Sequence, residues 1–131
     1  MRPVRARTIA TAINIGNPAS FERAVPAIRE TRGIVRAVSD EEILDAKAEI
    51  DAAGIGCEPA SAASVAGVRQ LVREGLIASG ERVVAVLTGH VLKDPEIILN
   101  EAESARGGLR PSPPVEVDPT IAAVAAAARL S

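Results

Sequence analysis

The sequence predicts an α/β fold, a partial parallel sheet flanked by helices, and three observations lead there. Three consecutive stretches share one grammar: a helix-like segment, a glycine, then a short β-rich run. The run Val83-Val84-Ala85-Val86-Leu87 shows no polar alternation, so both of its faces are expected to be buried, as in parallel sheets covered by helices on both sides. Aromatic residues amount to 1%, a single Phe21. The core must therefore be built from Val, Ile, Leu and many alanines, a composition that favours close packing of helices on a sheet. Alternation of this kind implies right-handed crossovers.

The elements follow in chain order. Residues 8–15 read as a short helix ending at Gly16. Asn17 as N-cap and Pro18 at the first helical position open a helix reaching Arg32. Gly33 follows it, and residues 34–38 (Ile-Val-Arg-Ala-Val) read as a strand. Ser39-Asp40-Glu41-Glu42 forms a capping box, in which Ser39 and Glu42 each satisfy an otherwise unpaired backbone N–H. Ile43, Leu44, Lys47 and Ile50 then recur at helical spacing until Gly54, and Ile55-Gly56-Cys57 is a short strand candidate. A third helix begins near Ala60-Ser61 and carries Val65, Val68, Leu71 and Val72 on one face. Gly75 stands just past its end, where a left-handed cap favours a residue without Cβ. Beyond the run 83–87, Gly107-Gly108 and Pro111-Ser112-Pro113-Pro114 mark an extended segment, and Asp118-Pro119 caps an alanine-rich helix to about Arg129. Three strands are few for an open parallel sheet, and both edges would stand unpaired. The chain thus reads as the last third of a larger domain.

Composition excludes several function classes. Fifteen basic against seventeen acidic residues leave a net charge of −2, against a sequence-independent nucleic-acid binder. The missing rings also remove any base-stacking platform. Hydrophobic residues at 47% and charged residues at 24% are the mix of a soluble globular protein. One cysteine, Cys57, forms no internal disulfide and fits a reducing compartment. No apolar run reaches the ~18–20 residues that span a bilayer. Residues 1–12 carry arginines without the apolar core of a secretory signal. The expected location is the cytoplasm, with no nucleic-acid and no membrane partner.

In open α/β sheets, ligands bind outside the carboxyl ends of the strands. Two segments occupy that position: residues 58–64, joining a strand end to a helix start, and Thr88-Gly89-His90 after the buried run. A hydroxyl and a glycine there can bring donors close to a flat ring or an anion, although Thr88 reads equally well as an ordinary strand-to-loop cap. Ser61 or Ser64 with His90 and Asp94 has the composition of a hydrolase triad, but no G-x-S-x-G elbow surrounds either serine. Both are better read as helix-start hydroxyls. His90 and Cys57 are too few ligands for a metal site, so no metal is expected. Neither G-x-G-x-x-G nor a Walker loop occurs. Lys47 reads as a solvated helix-face residue, and Lys93, beside Asp94-Pro95, as a turn or helix-end residue.

Five ordered blocks are more specific than these physical readings. They are Thr8-Ile-Ala-Thr-Ala-Ile, Ile15-Gly-Asn-Pro-Ala-Ser-Phe21, Val38-Ser-Asp-Glu-Glu-Ile-Leu44, Glu58-Pro-Ala-Ser-Ala-Ala-Ser-Val-Ala-Gly67, and Val86-Leu-Thr-Gly-His90 with Leu92-Lys-Asp-Pro95. Together they resemble the C-terminal part of the threonine synthase family. The resemblance runs from Thr8 to the terminal helix. It divides the chain into an unmatched stretch 1–7, the C-terminal portion of a cofactor-binding α/β domain at 8–106, and a Pro-rich linker with terminal helix at 107–131.

The resemblance implies the C-terminal portion of a large domain of the tryptophan-synthase-β type (fold type II), with pyridoxal 5'-phosphate held between two domains. It implies a lyase of threonine biosynthesis that converts O-phospho-L-homoserine and water into L-threonine and phosphate, working as a homodimer when complete. Carried over by motif, Thr88 faces the pyridine nitrogen of the cofactor, Gly89 lets the backbone pass close to the ring, and Glu58 and Ser61 lie near the ring side. The family's Schiff-base lysine and its glycine- and asparagine-rich phosphate loop lie upstream of the first matching block. No catalytic residue is therefore assigned in this chain, which is expected to be inactive alone. Asn14 stands where a basic residue is common, Phe21 replaces a usual tryptophan, and the helix before Gly54 is about one residue short. The leading reading is a C-terminal fragment of a threonine synthase, from a truncated gene or an incomplete sequence, whose partner is the missing N-terminal part. Two alternatives stay open: a fragment of another fold-type-II lyase such as a serine or threonine dehydratase, and a non-catalytic docking module of a split enzyme.

Overall fold

Ser39 starts the helix around which the chain is organised. In a computed structural model, which describes residues 2–97 and 115–128, the Ser39 hydroxyl accepts the Glu42 N–H at 3.2 Å. The Glu42 carboxylate accepts the Ser39 N–H at 2.9 Å, which completes the expected capping box. The main helices are α1 (Phe21–Glu30), α2 (Asp40–Ala52), α3 (Pro59–Arg73) and α4 (Ile121–Ala127). The chain divides into two compact units, Met1–Asp94 and Pro95–Ser131.

In the first unit, α2 turns Ile43, Ala46, Lys47 and Ile50 inward, and α3 answers with Pro59, Ser61, Ala62 and Ala66. The core comprises Ala10, Ile43, Ala46, Ile50, Cys57, Ala62 and Ala66. The buried face of α3 is therefore its small-residue stripe, whereas Val65, Val68 and Leu71 are half-buried and Val72 is exposed. Small side chains allow the two helix axes to approach, which is how a core almost free of rings still closes. Arg73–Glu42 and Arg69–Glu49 ion pairs span α3 and α2 on the outside.

Three helices end in the same way. Past α3, the Gly75 N–H reaches the Val72 carbonyl and the Leu76 N–H the Leu71 carbonyl, with Gly75 left-handed at φ +72° as expected. Gly54 plays that part after α2. After α1 the left-handed position falls on Arg32, at φ 52°, and Gly33 follows it.

Several expectations need correction. The partial parallel sheet is not formed among the described residues, whose one pairing is an isolated antiparallel bridge between Cys57 and His90. Residues 34–38 and 83–87 run without regular structure, and Val84 is 87% exposed. A β-run becomes a strand only when a neighbour satisfies its backbone groups, and neither segment has such a neighbour among the described residues. Arg36 instead ties the first run to the end of α3, with Nε and Nη2 both donating to Glu74 Oε2 at 3.0 Å.

The expected helix at 8–15 shrinks to a 3₁₀ turn at Thr11–Ile13. The Thr8 hydroxyl accepts the Ala10 N–H and donates to Asp40, drawing the backbone out of helical pairing. Helix α1 begins at Phe21 rather than Pro18, with Ser20 at its N-cap position. In the second unit, Thr120 rather than Asp118 caps α4, its hydroxyl accepting the Ala123 N–H at 3.2 Å. Gly107-Gly108 and Pro111-Ser112-Pro113-Pro114 lie outside the described residues.

Candidate functional site

The start of α3 and the turn 88–90 meet through the backbone. The Glu58 N–H donates to the Gly89 carbonyl at 3.1 Å, next to the Cys57–His90 bridge. The Gly89 N–H donates to Ser61 Oγ at 2.9 Å. Ser61 Oγ lies 3.4 Å from both Thr88 Oγ1 and the Gly89 carbonyl. Ser61 and Gly89 are buried while Thr88 is exposed, so the threonine sits on a fixed base with an open side. The two segments marked by their place at strand ends thus come together, and with them all four candidate residues: Glu58, Ser61, Thr88 and Gly89.

The electrostatics of this turn centre on Glu58. Its side chain is 5% exposed and faces Lys93 Nζ, 3.2 Å from Oε2 and 3.3 Å from Oε1. The Glu58 carboxylate also fills the space beside Gly89, where a Cβ would lie 1.9 Å from Oε1. Lys93 stands on a 3₁₀ turn, Val91–Lys93, capped by His90, whose Nδ1 accepts the Leu92 N–H at 3.2 Å. The turn expected around Lys93 is present; its ion pair with Glu58 was not legible, because thirty-five residues separate the two.

Lys47 requires the opposite reading to the one its charge invited. It is 1% exposed, and its ammonium is paired with Asp51 one turn along α2. Asp51 Oδ1 also accepts the Cys57 N–H at 3.3 Å, pinning the segment that leads into Glu58. Burial first, then the Asp51 carboxylate, pushes the Cys57 thiol above its ordinary value, so the sulfur is held protonated and inert. The serine–histidine–aspartate grouping is not assembled. Asp94 accepts from Thr11 Oγ1 at 2.8 Å, and Ser64 donates to the Ser61 carbonyl within α3.

Comparison with known proteins decides the family. The profile of the family described as "Pyridoxal-phosphate dependent enzyme" matches residues 2–89, which include the whole Glu58–Ser61–Thr88–Gly89 cluster. This chain belongs to that family. Among its relatives, the threonine synthase of Methanosarcina acetivorans is 53% identical over 97 residues, covering 73% of this chain and 24% of the relative. That of Methanocaldococcus jannaschii is 48% identical over 97 residues, with the same two coverages. That of Mycobacterium tuberculosis is 45% identical over 115 residues, 86% of this chain and 29% of the relative. The chain therefore spans about a quarter of the length of the curated relatives it matches.

The family's cofactor can be tested against the cluster. Thr88 offers an exposed hydroxyl over a hydrogen-bonded base, whereas Gly89 is buried and its side-chain position is filled by the Glu58 carboxylate. A neutral donor–acceptor such as the Thr88 hydroxyl fits the edge of a pyridine ring. The chain's lysines, Lys47 and Lys93, are both held in ion pairs with carboxylates. No helix among the described residues is long and apolar enough to cross a membrane.

Proposed function

We propose that the chain is the C-terminal part of a threonine synthase and supplies the ring-edge half of its cofactor site. The observation that carries this reading is the Thr88–Gly89 turn locked onto Ser61 and Glu58, within a sequence 53% identical to a threonine synthase. When bound, pyridoxal phosphate supplies the electron sink for loss of phosphate from O-phospho-L-homoserine and addition of water. Thr88 holds the ring-nitrogen edge. A hydroxyl is a neutral partner, so it does not keep that nitrogen protonated as a carboxylate would. Ser61 sets the direction of the Thr88 hydroxyl, and Gly89 leaves room for the Glu58 carboxylate, so that the turn closes onto the start of α3.

In this reading the chain does not catalyse by itself. Lys47 is buried against Asp51 and Lys93 is engaged with Glu58, so neither offers the free amine that covalent attachment of the cofactor needs. The remaining three-quarters of the enzyme brings that lysine and the phosphate-binding loop. It also brings strand neighbours for residues 34–38 and 83–87, which then join a partial parallel sheet. The complete enzyme works as a homodimer in the cytoplasm, a setting that a lone buried thiol fits.

The test is reconstitution. The purified chain with pyridoxal phosphate is expected to release no phosphate from O-phospho-L-homoserine and to give no borohydride-trapped adduct at Lys47 or Lys93. Mixed with the complementary portion of the Methanosarcina acetivorans relative, it is expected to release phosphate, and Thr88→Val to lower that rate by about tenfold or more. Turnover by the chain alone, or a stoichiometric adduct at either lysine, overturns the proposal, as does an inactive mixture.

A further inference from the structure

We propose that Lys93 is a positioning residue of this site: it holds the Glu58 carboxylate beside Gly89 and so fixes the direction of the Thr88 hydroxyl. Three observations converge. Glu58 is only 5% exposed, and a buried carboxylate is stable only when paired. Lys93 Nζ lies within 3.3 Å of both of its oxygens while itself 57% exposed, so the lysine keeps its hydration and the carboxylate gains its partner. The carboxylate so held occupies the place of a side chain at Gly89, whose N–H and carbonyl are both engaged by the start of α3.

The link to Thr88 is short. Gly89 donates to Ser61 Oγ, and Ser61 Oγ is the hydrogen-bonding neighbour of Thr88 Oγ1. Lys93 is itself anchored from two sides. Its N–H donates to the His90 carbonyl at 3.0 Å, and the next residue, Asp94, takes the Thr11 hydroxyl. Without the lysine, the carboxylate loses its partner and must turn toward water, which empties the space beside Gly89 and loosens the turn.

The relevance to a cofactor rests on the threonine synthase reading, but the positioning itself is measured without cofactor or turnover. The experiment is amide exchange and Thr88 χ1 couplings by NMR on the full chain, as wild type, Lys93→Met and Lys93→Arg. In Lys93→Met the Gly89 amide is expected to exchange about tenfold faster, with α2 and α3 amides unchanged, and the Thr88 couplings to move toward rotamer averaging. Lys93→Arg restores both. A second series removes the charge that needs a partner. In Glu58→Gln, Lys93→Met is expected to have no further effect on Gly89 or Thr88. Unchanged protection at Gly89, unchanged Thr88 couplings, uniform acceleration over the whole chain, or the same Lys93→Met effect in Glu58→Gln would each overturn the assignment. Failure of the reconstitution described above would leave these readouts untouched, so the two ideas fail separately.

Discussion

At the scale of single residues, Gly89 is constrained by space. Its backbone φ is not the issue; the Glu58 carboxylate occupies the position of a side chain, with Oε1 1.9 Å from an ideal Cβ. Gly89→Ala must displace a buried, ion-paired group, and the expected cost is about 1–3 kcal/mol, read from urea unfolding of the two chains. An equal midpoint would mean that the carboxylate moves away freely. The glycine was legible in the sequence as part of a Thr-Gly pair, but the reason for it was not, because Glu58 lies thirty-one positions earlier. Lys47 shows the same limit in reverse. Its spacing from Ile43 and Ile50 puts it on the inward face of α2, yet its charge pointed to solvent. Burial became possible because Asp51, one turn on, meets the ammonium at the edge of the core.

At the scale of elements, local chemistry wrote the helix ends and tertiary contacts wrote the faces. The capping box at Ser39–Glu42 and the left-handed Gly75 needed only neighbours in sequence, and both are present as read. Ser39→Ala is expected to cost about 1 kcal/mol in thermal or urea unfolding. The Glu42 carboxyl is held below its ordinary value of 4.5, first by the Ser39 N–H and then by Arg73. A depressed carboxyl contributes stability that is present above its unfolded value and lost as pH falls through the folded one. The α2 start is therefore expected to loosen below pH 4.5. Because the Ser39 N–H survives in Ser39→Ala, most of this pH dependence should remain in that variant; exchange rates at the first turn of α2 between pH 5 and 3 check both points. The face of α3 was not legible. Val65, Val68, Leu71 and Val72 form the more apolar stripe, yet the alanine and serine stripe is buried, since only small residues let α3 approach α2.

At the scale of the whole molecule, the exposed β-branched residues are expected to govern self-association. Val84 and Val86 are 87% and 67% exposed, on a backbone run with no strand partner among the described residues. Such a run invites self-association. Val84→Lys removes no buried area and adds a charge, so it should raise the concentration at which light scattering first detects aggregates, with the helical circular dichroism unchanged. A threshold that does not move would place the association elsewhere. In the reconstituted enzyme the same substitution should instead impair assembly, since the proposed sheet covers that run.

The order of α1, α2 and α3, the capping box at Ser39–Glu42, the stops at Gly54 and Gly75, the candidate quartet Glu58, Ser61, Thr88 and Gly89, and the family resemblance were set by the sequence, because each rests on residues close together or on motif wording. The tertiary structure decided which side of α3 is buried, that Lys47 lies inside the core, that Lys93 holds Glu58, and that the β-rich runs stand unpaired. Those outcomes depend on groups brought together across tens of residues and on neighbours that satisfy backbone hydrogen bonds. One-dimensional spacing does not record either.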